Sequence, residues 1–129
     1  MNAKQVIVMR TKYPDGNGGS FGLRRGKECA QASHASQAFL EDIVIGNKKL
    51  DEASSHWFSS TRTKICVRVE SEAELVALYE TAKKAGILAH IVEDMGMTEF
   101  GGQKTLTAVA IGPAWSEEID AITSHLKLY

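Results

Sequence analysis

Thr63-Lys64-Ile65-Cys66-Val67-Arg68-Val69-Glu70-Ser71-Glu72-Ala73-Glu74-Leu75 is the stretch on which the fold turns. Thr63, Ile65, Val67 and Val69 alternate with Lys64, Cys66 and Arg68, the period-two pattern of a strand with one better-buried face. Ser71 and Glu74 then stand at capping-box spacing, where serine and glutamate can satisfy the free amides of a helix start. Leu75, Leu78, Tyr79 and Ala82 follow at helical spacing, and Gly86 supplies the stop. Ala89 to Val92 is a further short strand. Strand, helix and strand in this order predict a crossover connection and hence parallel pairing.

The flanking sequence extends the pattern. Val6-Ile7-Val8-Met9 is a short apolar run suited to a strand buried on both faces. Tyr13 to Gly22 is glycine-rich and opened by Pro14-Asp15-Gly16, but it lacks the spacing of a dinucleotide or Walker phosphate loop and reads as a mobile surface loop. A helix is expected from about Gly26 to Val44, ending near Gly46-Asn47. Asp51 to Ser60 is a weaker helical stretch, with Trp57 and Phe58 plugging a core edge. Thr105 to Ile111 is a strand ended by Gly112-Pro113, and Ser116 to His125 a last helix with Ile119 and Ile122 inward. The fold expected is α/β: one domain over residues 1–129, a three-layer α/β/α sandwich with a mixed, mainly parallel four-stranded sheet. The last two strands are joined only by a loop, so one of them can run antiparallel.

A chain of 129 residues is long enough for one real core. Its net charge of −1 gives no overall pull towards nucleic acid, so any such surface must be a local patch. Cys29 and Cys66 make neither a disulfide framework nor a metal-ligand spacing, and free thiols fit a reducing compartment. No stretch approaches the ~20 apolar residues of a membrane span. A cytoplasmic protein without metal or cofactor is the expectation.

Two stretches carry candidate chemistry. In the first helix Lys27, Gln31 and His34 share one side at ~100° per residue, with Cys29, Ser33, Ser36, Leu40 and Ile43 expected as the buried stripe. In the loop from Glu93 to Lys104, Asp94 lies just past a strand end, where sites in α/β sheets form. Thr98, Thr105 and Thr107 bring hydroxyls nearby. Taken singly, each has a plain explanation: a solvated helix face, an Asx turn, threonines chosen for strand propensity.

In combination these motifs resemble the type II peptidyl-tRNA hydrolase family, the archaeal and eukaryotic kind. That family's first helix begins Gly-Lys-x-x-Ala-Gln-x-x-His-Ala, and Gly26-Lys27-Glu28-Cys29-Ala30-Gln31-Ala32-Ser33-His34-Ala35 is similar. Its later motif, Asp-x-Gly-x-Thr with a Thr-x-Thr strand and Ala-Ile-Gly-Pro, is matched by Asp94-Met95-Gly96-Met97-Thr98, Thr105-Leu106-Thr107 and Ala110 to Pro113. The likeness runs from Val6 to Leu128. Met97 stands where the family usually has arginine and Glu99 where it often has glutamine. The loop before Arg24 is extended, and Gly101-Gly102-Gln103-Lys104 is one residue longer.

The resemblance implies hydrolysis of the ester joining a peptidyl or N-blocked aminoacyl group to the terminal ribose of tRNA, by directly activated water. Lys27, Gln31, Asp94, Thr98 and Thr107 are the catalytic candidates. Asp94 would orient or deprotonate water, Lys27 would hold the oxyanion or a phosphate, and the amide and hydroxyls would donate or accept. Arg24, Arg25, His34 and Thr105 are candidates for substrate binding, with Lys48, Lys49, Arg62 and Lys64 as weaker tRNA contacts. Two other readings stay open on the same fold: a non-catalytic RNA- or protein-binding module, and a hydrolase or binder of small molecules. The partners expected are tRNA and, as a further alternative, a second copy in a homodimer.

Overall fold

The computed structural model describes residues 1–97 and 99–129. In chain order the elements are β1 (Ala3–Arg10), β2 (Tyr13–Pro14), β3 (Ser20–Phe21), α1 (Arg25–Gly46), α2 (Glu52–Ser59) and β4 (Lys64–Val69). Then come α3 (Glu72–Lys84), β5 (Ala89–Asp94), β6 (Thr105–Trp115), α4 (Ser116–Thr123) and β7 (Lys127–Leu128). The expected α/β sandwich is present, with a sheet of order β5-β6-β1-β4-β7.

Among the described residues the sheet has five strands rather than four. The additional one, β7, pairs Leu128 with Val67 and Lys127 with Arg68. Both of its residues are exposed, so it has no buried alternation by which a sequence could reveal it. β1 and β4 are parallel, β6 is antiparallel to both β1 and β5, and β7 is antiparallel to β4. Strands β1, β4 and β5 therefore share a direction, yet among the described residues β1 and β4 are the one adjacent parallel pair, because β6 is inserted between β1 and β5. β6 does not stop at Gly112-Pro113 but continues to Trp115, opposite Ala3. The β1 register shifts between Lys4 and Val6 along this part of the pairing, a local break of the kind that accommodates a proline without a ladder donor.

Both faces of the sheet are covered. Val6, Val8, Val67 and Val109 pack against Leu75 and Leu78 of α3 and Ile119 and Ile122 of α4. Ile7, Met9, Ala108 and Ala110 meet Ala35 of α1 on the other side, and Phe39 joins Trp57 and Ala3 at that layer's end. The Ser71 cap is formed, accepting from the Glu74 amide, and Gly86 closes the turn after α3 with φ of 74°.

The buried row of α1 differs from expectation. It is Gln31, Ala35 and Phe39, whereas Cys29 and Ser33 are exposed and Ser36, Leu40 and Ile43 half-buried. Apolar residues alone did not set the helix rotation: Gln31 can be buried because its amide is hydrogen-bonded. The small side chain of Ala35 lets α1 lie close over Ala108 and Ala110. Nor is the glycine-rich segment simply a loop. Tyr13 pairs with Phe21 and Pro14 with Ser20, and the Asp15 carboxylate accepts from the amides of Asn17 and Gly19. It is a small hairpin.

Candidate active site

The carboxyl ends of β1, β4 and β5 lie at one edge of the sheet, beside the amino end of β6 and the first turns of α1. There Lys27 Nζ lies 2.8 Å from Asp94 Oδ1, and both side chains are largely buried. Gln31 Nε2 donates to the same oxygen at 3.3 Å, and Thr107 Oγ1 donates to Gln31 Oε1 at 2.5 Å. The Gly96 amide donates to Asp94 Oδ2 at 2.9 Å. Four side chains from α1, β5 and β6 thus form one connected network.

Gly96 is part of the construction. Its φ is +81°, and a Cβ there would clash with the Gln103 backbone carbonyl. The absent side chain lets the two ends of the β5–β6 loop close, and the same residue turns its amide onto Asp94. Burial by itself would raise the Asp94 carboxyl pKa. The hydrogen bond and charge of Lys27, with the Gly96 amide and Gln31, outweigh burial and hold it below the ordinary carboxylate value. Asp94 is therefore an anion at neutral pH.

The sequence candidates separate into groups. Lys27, Gln31, Asp94 and Thr107 come together. Thr107 is fully buried, with its hydroxyl committed to Gln31, so it lies behind the exposed part of the cluster. His34 is exposed and lines the same cleft of about 360 Å³ with Lys27, Asp94, Met95 and Met97. Arg24 is exposed and its Nε lies 2.5 Å from Glu99 Oε1. Arg25 is not with this group: it lines a separate cleft with Glu28, Cys66 and Tyr129. Thr105 donates to the Gln103 carbonyl and faces a different cavity. Thr98 lies outside the described residues.

Three features had no counterpart in the sequence reading: the Gly96 amide, the Arg24–Glu99 pair, and an aromatic group of Tyr13, Phe21 and Phe100. The last carried a legible mark, since Tyr13 and Phe21 flank a turn-rich segment as hairpin partners do. The other two depend on loop geometry, which no spacing rule encodes.

The class defined by this arrangement is a three-layer α/β protein with a polar cluster of carboxylate, amine, amide and hydroxyl joined by hydrogen bonds at the carboxyl edge of its sheet. The family model described as Peptidyl-tRNA hydrolase PTH2 matches residues 3–129. The peptidyl-tRNA hydrolase of Methanocaldococcus jannaschii is 39% identical over 125 residues, 97% of this chain and 98% of that protein. The peptidyl-tRNA hydrolase of Aeropyrum pernix is 38% identical over 127 residues, 98% of this chain and 95% of that protein. The probable peptidyl-tRNA hydrolase 2 of Dictyostelium discoideum is 35% identical over 128 residues, 99% of this chain and 55% of that protein. The chain belongs to the peptidyl-tRNA hydrolase PTH2 family. Among the described residues no helix is long and apolar enough to cross a membrane.

Proposed function

We propose that this protein hydrolyses the ester between a peptidyl or N-blocked aminoacyl group and the terminal ribose of tRNA, returning the tRNA to translation in the cytoplasm. The observation that carries this reading is the Lys27–Asp94 contact of 2.8 Å at the mouth of a cleft. Ester hydrolysis by water needs a held nucleophile, a positive partner for the tetrahedral oxyanion, and a proton for the departing ribose oxygen.

The network supports the first two needs, and the attacking water brings the proton for the third. Asp94 Oδ1 already accepts from Lys27 and Gln31, while Oδ2 accepts, among the described residues, from Gly96 alone, which leaves a lone pair that water can use. A carboxylate of lowered pKa is a weak base, so its main work is to orient that water and to stabilise the positive charge that develops on it as it attacks. As the water oxygen bonds to the ester carbon, one of its protons passes by way of Asp94 to solvent, and its other proton ends on the ribose oxygen as the tetrahedral intermediate collapses and that C–O bond breaks. Lys27 spends one N–H on Asp94 and has two more for the oxyanion or the terminal phosphate. Gln31 is almost fully buried and Thr107 fully so; they act as positioning residues, holding Asp94 in register. His34 forms a wall of the cleft, and Arg24, exposed at the N-cap of the helical turn that carries Lys27, is a candidate cation for phosphate.

Turnover of an N-blocked aminoacyl-tRNA by the parent chain, beside Lys27→Ala, is the test. Release of free tRNA by the parent and its loss in the variant supports the reading. Tight tRNA binding with no release by the parent overturns it in favour of a non-catalytic module.

A further inference from the structure

A second cavity opens on the α3 side of the same sheet edge. It encloses about 510 Å³ and is lined by Arg10, Tyr13, Phe21, Glu93, Phe100 and Gln103 among others. That volume falls within the ~300–1,000 Å³ of small-ligand clefts. Tyr13 packs against Phe100 with ring centroids 4.9 Å apart, and Phe21 lies 5.7 Å from Tyr13 and 6.1 Å from Phe100. Tyr13 is buried, while Phe21 and Phe100 are half-buried and keep accessible ring surface.

Arg10 lies at the base, only 6% exposed, with its guanidinium 4.4 Å from the Tyr13 ring centre. It donates to the carbonyls of Lys12 and Leu106 and has no ion-pair partner among the described residues. A buried guanidinium without a carboxylate keeps both charge and donors for a ligand. Asp15, Glu72, Glu93 and Glu99 meanwhile stand in the cavity wall, with Lys104 as a second cation. The carboxylates oppose an anion, as Arg10 and Lys104 oppose a cation. The complementary ligand is neutral and flat, with acceptors for arginine and amino donors for carboxylates.

Those are the properties of a nucleobase, and we propose that this cavity receives one unstacked base of a single-stranded RNA end. Aromatic faces hold such bases by stacking, and arginine, glutamate and glutamine read their edges. The location fits the proposed reaction, on which this inference rests for its biological ligand. Glu93 lines both this cavity and the Lys27–Asp94 cleft, and Asp94 pairs across the sheet with Thr105, a lining residue here. A base seated among the rings would anchor the RNA end one residue along β5 from the carboxylate, leaving its ester to the other cleft. Tyr13 and Phe21 face each other across the β2–β3 hairpin, so a single short element supplies two of the three rings.

The test uses the full chain and a short unacylated RNA ending in C-C-A. Binding should shift NMR resonances of Phe21, Phe100 and the Arg10 side chain. Phe100→Leu keeps apolar volume without the π face; it should weaken that binding about 5- to 150-fold, the range for one stacked base, while Phe100→Trp retains it. Parent-like affinity in Phe100→Leu, or shifts confined to the Lys27–Asp94 cleft, overturns the proposal. A changed KM of Phe100→Leu for a small N-blocked aminoacyl ester lacking any base also overturns it, because the cavity would then hold the acyl group. The oligonucleotide measurement requires no ester cleavage. Loss of binding in Phe100→Leu without turnover of aminoacyl-tRNA by the parent would thus reject the hydrolase reading and uphold the base site.

Discussion

Thr107 Oγ1 donates to Gln31 Oε1 at 2.5 Å, and Gln31 Nε2 in turn donates to Asp94 Oδ1. The hydroxyl of a fully buried strand residue fixes which way the glutamine amide faces, and so which end of it meets the carboxylate. Thr107→Val retains the shape and removes this donor. It leaves a buried amide oxygen unsatisfied, which should cost about 1–3 kcal/mol of stability in denaturant unfolding. It also frees the amide to turn. A fall in kcat with KM nearly unchanged is expected, and parent kinetics would show that Gln31 needs no such support.

Asp94→Asn keeps a side chain able to accept from Gly96 and Lys27, so the chain should fold. The lost anion no longer orients and polarises water, and turnover should drop roughly 10²–10⁴-fold, measured as single-turnover release of tRNA. Affinity for uncharged tRNA should hold or rise slightly. Lys27→Ala should instead reduce both turnover and binding, which makes the two variants distinguishable.

The Asp94 carboxyl titrates below its ordinary value of 3.8 in the folded chain. Its ionised form therefore contributes stability that is fully present above about 3.8 and is lost as pH falls through the lower folded pKa. The difference in unfolding free energy between the parent and Asp94→Asn should be flat from neutrality down to that range and shrink below it. A difference that already shrinks between pH 7 and 5 would contradict the lowered pKa.

Glu99 occupies Arg24 with its carboxylate, while the Arg24 side chain is 81% exposed. The Glu99 side chain is only 12% exposed, so the pair is open to solvent at its Arg24 end, and screening there keeps its contribution to stability small, about 1 kcal/mol. Glu99→Gln should leave unfolding almost unchanged yet free the guanidinium for phosphate. We expect tighter tRNA binding and a log–log salt dependence steeper by roughly 1. Arg24→Ala should reverse both effects. Arg25→Ala should do little, because Arg25 lines a different cleft.

Some of this was written in local sequence. Alternation in β4, the Ser71 cap and the 3–4 spacing of α3 are decided by residues near one another, and each element formed about where its pattern lay. The order of elements then sufficed for an α/β sandwich, because few connections return a strand to one sheet. Lys27, Gln31 and Asp94 were legible as chemistry because amines, amides and carboxylates in family-like motifs stand out from their surroundings. Their partnership was not, since 67 positions separate Lys27 from Asp94 and only the docking of α1 on the sheet joins them.

Tertiary structure decided what local pattern leaves open. The inserted antiparallel β6, the added β7 and the rotation of α1 all depend on pairings between distant segments. Helical periodicity ranked Gln31 as polar and exposed; Thr107 and Asp94, far along the chain, supplied the hydrogen bonds that allow its burial. The same holds for Arg24 and Arg25, adjacent in sequence yet turned apart, one to Glu99 and the other to the cleft of Glu28, Cys66 and Tyr129. Sequence determined the elements and the reactive groups, because both follow from residue type and short-range geometry. Only the packed chain decided which of those groups touch, because contact between distant residues is set by how their elements pair and pack.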